Sequence, residues 1–138
     1  MQDGQECLSR DEIFGMDDLP MEAVIVPEWG HRRVFVCGMT AAGKNAYEAS
    51  LVEIKGNTRK VRLDNATAKL IVRTVVNAQR QPLFTEADIE RLGTKSAAAL
   101  ERLAKVAQRL SSMRDEDLEA LVKNSDAAQS GDSPSVSL

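Results

Sequence analysis

Aromatic, histidine and cysteine side chains are scarce in this sequence of 138 residues. It contains five aromatic residues, one histidine and two cysteines, whereas seventeen of its residues are alanine. The single histidine, His31, excludes sites that need two imidazole groups, and Cys7 and Cys37 are not spaced as zinc ligands. A core with so few aromatic residues has to be built from Ala, Leu and Val, which is the composition of packed helices.

Long hydrophobic runs are absent as well. The longest uninterrupted apolar stretches, such as residues 23–26, have four residues, whereas a membrane span needs ~20. The first twelve residues are acidic and lack the apolar core of a secretory signal. With 43% hydrophobic and 28% charged residues, the composition predicts a soluble globular protein, and the cysteine usage favours the reducing cytoplasm.

Charge is distributed unevenly along the chain. The net charge is −3, but residues 1–28 carry −7, residues 29–83 carry +7 and residues 84–138 carry −3. This distribution favours electrostatic pairing within the fold or between copies of the chain. A basic surface for a nucleic acid or an acidic partner is the alternative interpretation.

The N-terminal part predicts a short helix followed by a β-hairpin. Ser9 and Glu12 have the spacing of a capping box, and the helix that they begin ends near Gly15. Residues 21–27 and 32–38 are short runs rich in β-branched side chains, which is typical of strands. Since only four residues join them, we expect an antiparallel pair.

From Thr40 onward the apolar spacing predicts helices. Thr40 is the expected N-cap of the first of them. The first predicted helix runs from Thr40 to a break at Gly56 and Asn57, with Ala46, Tyr47, Ser50, Leu51 and Ile54 on one face. The others cover residues 58–77, a short segment from Thr85 to a left-handed cap at Gly93, residues 95–111 and residues 114–123.

The predicted fold is therefore α+β and mostly α-helical, with a short N-terminal helix, a β-hairpin, four to five packed helices and a disordered C-terminal tail. We expect residues 1–8 to be a flexible N-terminus and residues 9–124 to form a single globular domain. Residues 125–138 are small, polar and punctuated by Gly and Pro, which is typical of disorder.

Residues 38–45, named here the glycine–lysine segment, match the phosphate-binding pattern G-x-x-x-x-G-K-[ST] at every defined position except the last. Gly38–Lys44 would then cradle a nucleotide. Asn45 lacks the hydroxyl group that would hold Mg²⁺, and no later strands are predicted that could form a parallel sheet. We therefore keep a small nucleotide-binding protein as an alternative hypothesis and do not favour it.

A second alternative is an accessory protein that binds nucleic acid. It depends on basic residues that the predicted helix 58–77 would place on one outer face: Arg59, Lys60, Arg62, Lys69 and Arg73. No aromatic residue lies near them to stack on bases, which argues against nucleic-acid binding.

Several short segments, taken in order, resemble one protein family. They are Ser9–Phe14, Asp17–Pro20, Val26–Gly30, Val34–Val36 with Gly38–Thr40, Tyr47–Ser50, Pro82–Thr85 with Asp88–Ile89 and Leu92–Gly93, Lys95–Ala97 and Lys123–Asn124. In order and spacing they resemble the tail assembly chaperones of long-tailed, siphovirus-type bacteriophages. The resemblance covers residues 9–124.

The resemblance implies a function without catalysis, cofactor or metal. Such chaperones bind the long helical tape measure protein in the host cell cytoplasm, keep it soluble while the tail tube assembles, and are absent from the mature virion. Many are also made in a longer, frameshifted form that recruits the tail tube protein. A chaperone for a long client also needs self-association, so that successive copies line the client. The opposite charges of residues 1–28 and 29–83 could join copies head to tail. No membrane partner is expected.

Residues that contact the partner have to be inferred from the sequence itself. The predicted last helix offers an apolar stripe that could lie partly open for the client: Leu118, Leu121 and Val122. The alternative contact surface is the basic face of Arg59, Arg62, Lys69 and Arg73.

Overall fold

The computed structural model describes residues 7–114, 116 and 119–123. Helix α1 (Arg10–Phe14) begins with the predicted capping box, in which the Glu12 amide donates to Ser9 Oγ and the Ser9 amide donates to Glu12 Oε1. None of its residues is buried. This helix is confirmed in position, but it packs no side chain into the core.

The first hairpin is also confirmed. Strands β1 (Met21–Val26) and β2 (Arg32–Cys37) pair in antiparallel register from Met21 opposite Cys37 to Val26 opposite Arg32. A 3₁₀ turn over Pro27–Trp29 and left-handed backbone at Gly30 and His31 connect them. Strand β5 (Val75–Val76) joins the other side of β2, so the sheet order is β1-β2-β5.

A second hairpin replaces the end of the helix that was predicted between Thr40 and Gly56. Helix α2 (Ala41–Ser50) has Thr40 as its N-cap, as predicted, but it ends at Ser50, before the predicted break at Gly56. Strands β3 (Val52–Lys55) and β4 (Thr58–Val61) follow and pair antiparallel. Gly56, with φ of 60°, and Asn57 form the two-residue connection, a spacing that favours hairpins.

The predicted helix over residues 58–77 is therefore wrong in its first half. Helix α3 covers only Ala66–Thr74, and it starts after Asn65, whose backbone is left-handed. Its inner face buries Leu70, Ile71 and Val72 among other side chains. The β-branched pair Val75–Val76 then leaves the helix to form β5, since such residues fit a pleated sheet better than a helix.

The C-terminal half follows the prediction more closely. A 3₁₀ turn (Glu86–Asp88) with a capping box at Thr85 leads into helix α4 (Ile89–Leu92). Gly93 ends α4 with φ of −63°, so the predicted left-handed cap is wrong. Helix α5 (Ala97–Leu110) is capped by Ser96, and residues 119–123 are helical.

Helix α5 completes the hydrophobic core. It packs against α3, β1 and β2 and buries Leu100, Leu103, Ala104 and Ala107. The remaining core consists mainly of aliphatic residues from β1, β2, α2 and α3. The fold is thus α+β and mostly helical, as predicted, with an additional hairpin.

Three ion pairs show how the acidic N-terminal region is used within the fold. Glu22 binds Arg109 on α5 at 2.7 Å, and Glu28 binds Arg102 on α5 at 3.0 Å. A third pair, from Asp17 to Arg80 at 3.9 Å, joins residues 1–28 to residues 29–83. Intramolecular pairing therefore occurs, but mainly with the C-terminal third of the chain.

The described residues contain no helix that is both long enough and apolar enough to cross a bilayer. The predicted disordered tail, residues 125–138, lies outside the described residues.

Candidate protein-binding site

An apolar groove of about 570 Å³ lies between α2, α5 and the C-terminal helical residues. Its wall is formed by side chains from four separate parts of the chain: Tyr47, Leu63, Gln108, Met113, Arg114, Glu119, Val122 and Lys123. Most of the surface that these residues present to the groove is apolar. A groove of this size falls within the range of ligand-binding sites on proteins.

The floor of the groove is held in place by the core. Tyr47 lies on the inner face of α2 and is only 3% exposed, and burial raises the pKa of its phenol group. Met113 packs against the core and donates its amide hydrogen to Gln108 O at 2.7 Å. Left-handed backbone at Ser112 turns the chain at this point. The floor is therefore fixed by packing and by the tight end of α5.

The upper wall of the groove is more open. Leu63 lies in the connection between β4 and α3, where it remains 46% exposed. Val122 is half-buried. Exposed charged side chains complete the wall: Arg114, Glu119 and Lys123. The groove thus has an apolar floor and a charged rim, which is the usual anatomy of a protein interface.

The structure places the predicted apolar stripe in two different environments. Val122 lines the groove, whereas Leu121 is half-buried and packs against the core. Leu118 lies outside the described residues. Tyr47 and Leu63 were not predicted as site residues, because each lies far away in sequence and only the tertiary fold brings it to the groove. Met113, in the turn after α5, was not predicted either.

The predicted basic face does not exist as one face of a helix. Arg59 is on β4, Arg62 follows that strand, and Lys69 and Arg73 are on α3. Lys69 Nζ donates to the Ser50 carbonyl oxygen at 3.0 Å. The second hairpin explains why the prediction failed, because it places Arg59 on a strand and leaves Lys69 and Arg73 on a helix.

Two of these basic residues are engaged in ion pairs. Arg62 donates to Glu53 and to Asp64, each at 2.8 Å, and Arg73 approaches Glu86 at 3.7 Å. The hydrogen bonds to Asp64 and Glu53 raise the pKa of Arg62, and Arg62 lowers the pKa of both carboxyl groups. This pairing makes these side chains poor ligands for a phosphate backbone.

The glycine–lysine segment uses its backbone donors within the fold. The Met39 amide donates to Ser111 Oγ at 2.9 Å, and the Gly43 amide donates to Thr40 Oγ1 at 2.9 Å. The Lys44 amide donates to the Thr40 carbonyl oxygen. A phosphate-binding loop needs such amides pointing at the ligand, so this segment is a capped helix start.

Gly38 has a packing role of its own. A Cβ atom at this position would lie 2.6 Å from the Leu110 carbonyl oxygen at the end of α5. The strand before it, β2, is antiparallel to both of its neighbours, whereas a phosphate-binding loop follows a parallel strand. Gly38 therefore has a structural explanation that involves no phosphate group.

Comparison with known proteins identifies the family. A family model described as phage tail assembly chaperone matches residues 17–120. The chain belongs to the phage tail assembly chaperone family. This match confirms the resemblance seen in the sequence. Members of the family are assembly chaperones and are not known as enzymes.

A solved structure supports the fold of this tail assembly chaperone. The structure of the bacteriophage HK97 tail assembly chaperone matches with a TM-score of 0.54 and 21% sequence identity. The match covers 72% of this chain and 88% of that chain. Comparison with curated protein sequences gives no significant match.

We expect the chaperone not to bind Mg-ATP, because four amides of the glycine–lysine segment, those of Gly38, Met39, Gly43 and Lys44, are already hydrogen-bonded within the fold. Asn45 also offers no hydroxyl group for Mg²⁺. Isothermal titration calorimetry should give no binding heat above dilution. Micromolar binding that Lys44→Ala abolishes would contradict this prediction and favour the nucleotide-binding alternative.

Proposed function

We propose that this chaperone binds the tape measure protein of its phage and keeps that protein soluble while the tail tube assembles. Membership of the tail assembly chaperone family carries the proposal, and the groove beside Tyr47 and Val122 supplies a surface suited to the task. We further propose that the chaperone acts in the cytoplasm of the infected host cell and is absent from the mature virion.

The apolar floor and charged rim of the groove are complementary to an amphipathic helix. A long tape measure chain exposes an apolar stripe that would aggregate if it stayed in water. An apolar groove receives such a stripe through side chains at positions i, i+3 and i+4 of the client helix. The charged rim of Arg114, Glu119 and Lys123 would then select register and orientation more than it adds affinity.

Two further parts of the proposal concern other partners. Copies of the chaperone would associate with one another along the client, so that many weak contacts cover a long chain. A longer, frameshifted form would bring the tail tube protein to the same assembly. Both are proposals that rest on the assembly role.

Co-expression tests the central proposal. The tape measure protein should be found mainly in the insoluble fraction when it is expressed alone, and should become soluble and co-purify when this chain is present. A folded tail protein of the same phage, expressed with and without the chaperone, is the control for a general effect on solubility. A tape measure that stays insoluble with the full chaperone would contradict the proposal.

A further inference from the structure

We propose that the outer edge of strand β1 (Met21–Val26) is a second docking surface, which binds an extended, acidic segment of another protein as an added strand. The proposal goes beyond the helix-binding groove, because that groove is lined by residues outside this sheet. It also concerns a different conformation of the bound chain, a strand in place of a helix.

The backbone of β1 offers unused hydrogen-bonding groups along this edge. The sheet order β1-β2-β5 leaves one side of β1 without a neighbouring strand. The Gly38 amide donates to the Pro20 carbonyl oxygen at 2.9 Å, and hydrogen-bonded pairs alternate along an antiparallel ladder. Val24 therefore directs its peptide groups toward β2, whereas Ala23 and Ile25 direct theirs to the open side.

The other strand edges of the described residues are protected against pairing. Strand β5 has two residues, and Pro82, which bridges to Val76, has no amide hydrogen. Strands β3 and β4 carry lysine and arginine side chains, which discourage the approach of another strand. Strand β1 has neither proline nor lysine, its register is regular, and Glu22 is bound by Arg109 on α5. An edge left open in this way is suited to a partner strand.

The face of the sheet beside this edge is apolar. Ile25 is 49% exposed, Ala23 is exposed, and Phe35, which lies opposite Ala23, is half-buried. Val24 and Val26 point to the opposite face, where they are buried in the core. An added strand would cover Ile25 with its own side chains, so that backbone hydrogen bonds and apolar burial act together.

Two arginine residues favour an acidic segment as the occupant. Arg32 and Arg33 are exposed and lie opposite Val26 and Ile25 in the register. Their guanidinium groups form no ion pair within the part of the chain that the structure describes. Carboxylates on the added strand would fix its direction and register. A second copy of β1 fits less well, because its single carboxylate, that of Glu22, already has a partner.

Amide hydrogen exchange of the full chain with a model peptide tests the assignment. The probe is a capped peptide of alternating valine and glutamate, about eight residues long. In the free chain, the amides of Ala23 and Ile25 should exchange faster than those of Val24 and Val26. Saturation with the peptide should slow exchange at Ala23 and Ile25 by about tenfold or more. A valine–lysine peptide of the same length should bind more weakly.

Matched variants separate the edge contact from non-specific adsorption. Ala23→Pro removes an amide that faces the open side and should lower peptide affinity by about tenfold, whereas Ala23→Thr keeps that amide and should bind like the wild type. Arg33→Glu should reverse the preference in favour of the valine–lysine peptide. Lys60→Glu, on β4 in the second hairpin, makes the same change in net charge and should leave the preference unaltered.

Several results would overturn the proposal. Slow exchange at Ala23 and Ile25 in the free chain would show that the edge is already covered, and a second copy would then be the occupant. Failure of the valine–glutamate peptide to bind, or an equal effect of Arg33→Glu and Lys60→Glu, would also contradict it. If thermal melts show that Ala23→Pro unfolds, a fully N-methylated valine–glutamate peptide replaces that variant and should not bind. Since no tape measure protein is present, these outcomes are independent of the groove.

Discussion

Replacing both Leu63 and Val122 with aspartate should abolish most of the chaperone's ability to keep the tape measure soluble, while leaving the fold intact. Both side chains line the apolar groove without being fully buried, Leu63 being 46% exposed. Two carboxylates in the groove would have to be desolvated when a client helix docks, which costs several kcal/mol. The free chaperone keeps them hydrated, so we expect its melting temperature to fall by no more than ~5 °C.

The measurement is the soluble fraction of co-expressed tape measure, with thermal melts of the purified variants beside it. Leu83→Asp provides the control, because it adds a carboxylate at a similarly exposed leucine outside the groove. Leu121 is a poorer probe than the sequence indicates, because it packs against the core and a charge there would unfold the protein. If the double variant supports the tape measure as well as the wild type does, the client surface lies elsewhere.

The parts of this fold that could be predicted are those with a local signal. The capping boxes at Ser9 and Thr85, the N-cap at Thr40 and the apolar stripe of α5 depend on residues within a few positions of each other. Such signals can be recognised from a short window of the sequence alone. The first hairpin was predictable for the same reason.

The second hairpin shows where local signals fail. Tyr47, Leu51 and Ile54 have helical spacing, but Val52 and Ile54 also have the alternation of a strand, and the chain follows both patterns in turn. Gly56 and Asn57 interrupt a helix and also form a two-residue hairpin loop. Only the pairing of Val52 with Val61 and of Ile54 with Arg59 decides between them.

The groove was only partly predictable for a related reason. Val122 belongs to an apolar stripe that can be recognised in the sequence, whereas Tyr47, Leu63 and Met113 reach the groove from three other segments. Their convergence depends on α5 and on the turn at Ser112. No spacing rule within one element relates such residues.

Gly38→Ala should destabilise the fold, although it adds only one methyl group. The added Cβ atom would lie 2.6 Å from the Leu110 carbonyl oxygen and 3.3 Å from Pro20 Cδ. Both neighbours are held in place, since the Gly38 amide donates to Pro20 O and the Met39 amide donates to Ser111 Oγ just after α5. The end of α5 would have to move away from the sheet, at a cost of ~1–3 kcal/mol for overpacking.

Thermal or urea unfolding measures this effect, and a loss of that size corresponds to a fall of roughly 4–15 °C in melting temperature for a domain of this length. Gly15→Ala is the matched control, because its Cβ would meet Asp11 O at 3.4 Å, an ordinary contact, and its φ of −83° suits alanine. An alanine at position 38 that melts with the wild type would show that α5 is not closely packed on the end of β2. Gly38 would then need another explanation, and the phosphate-binding hypothesis for residues 38–45 would regain support.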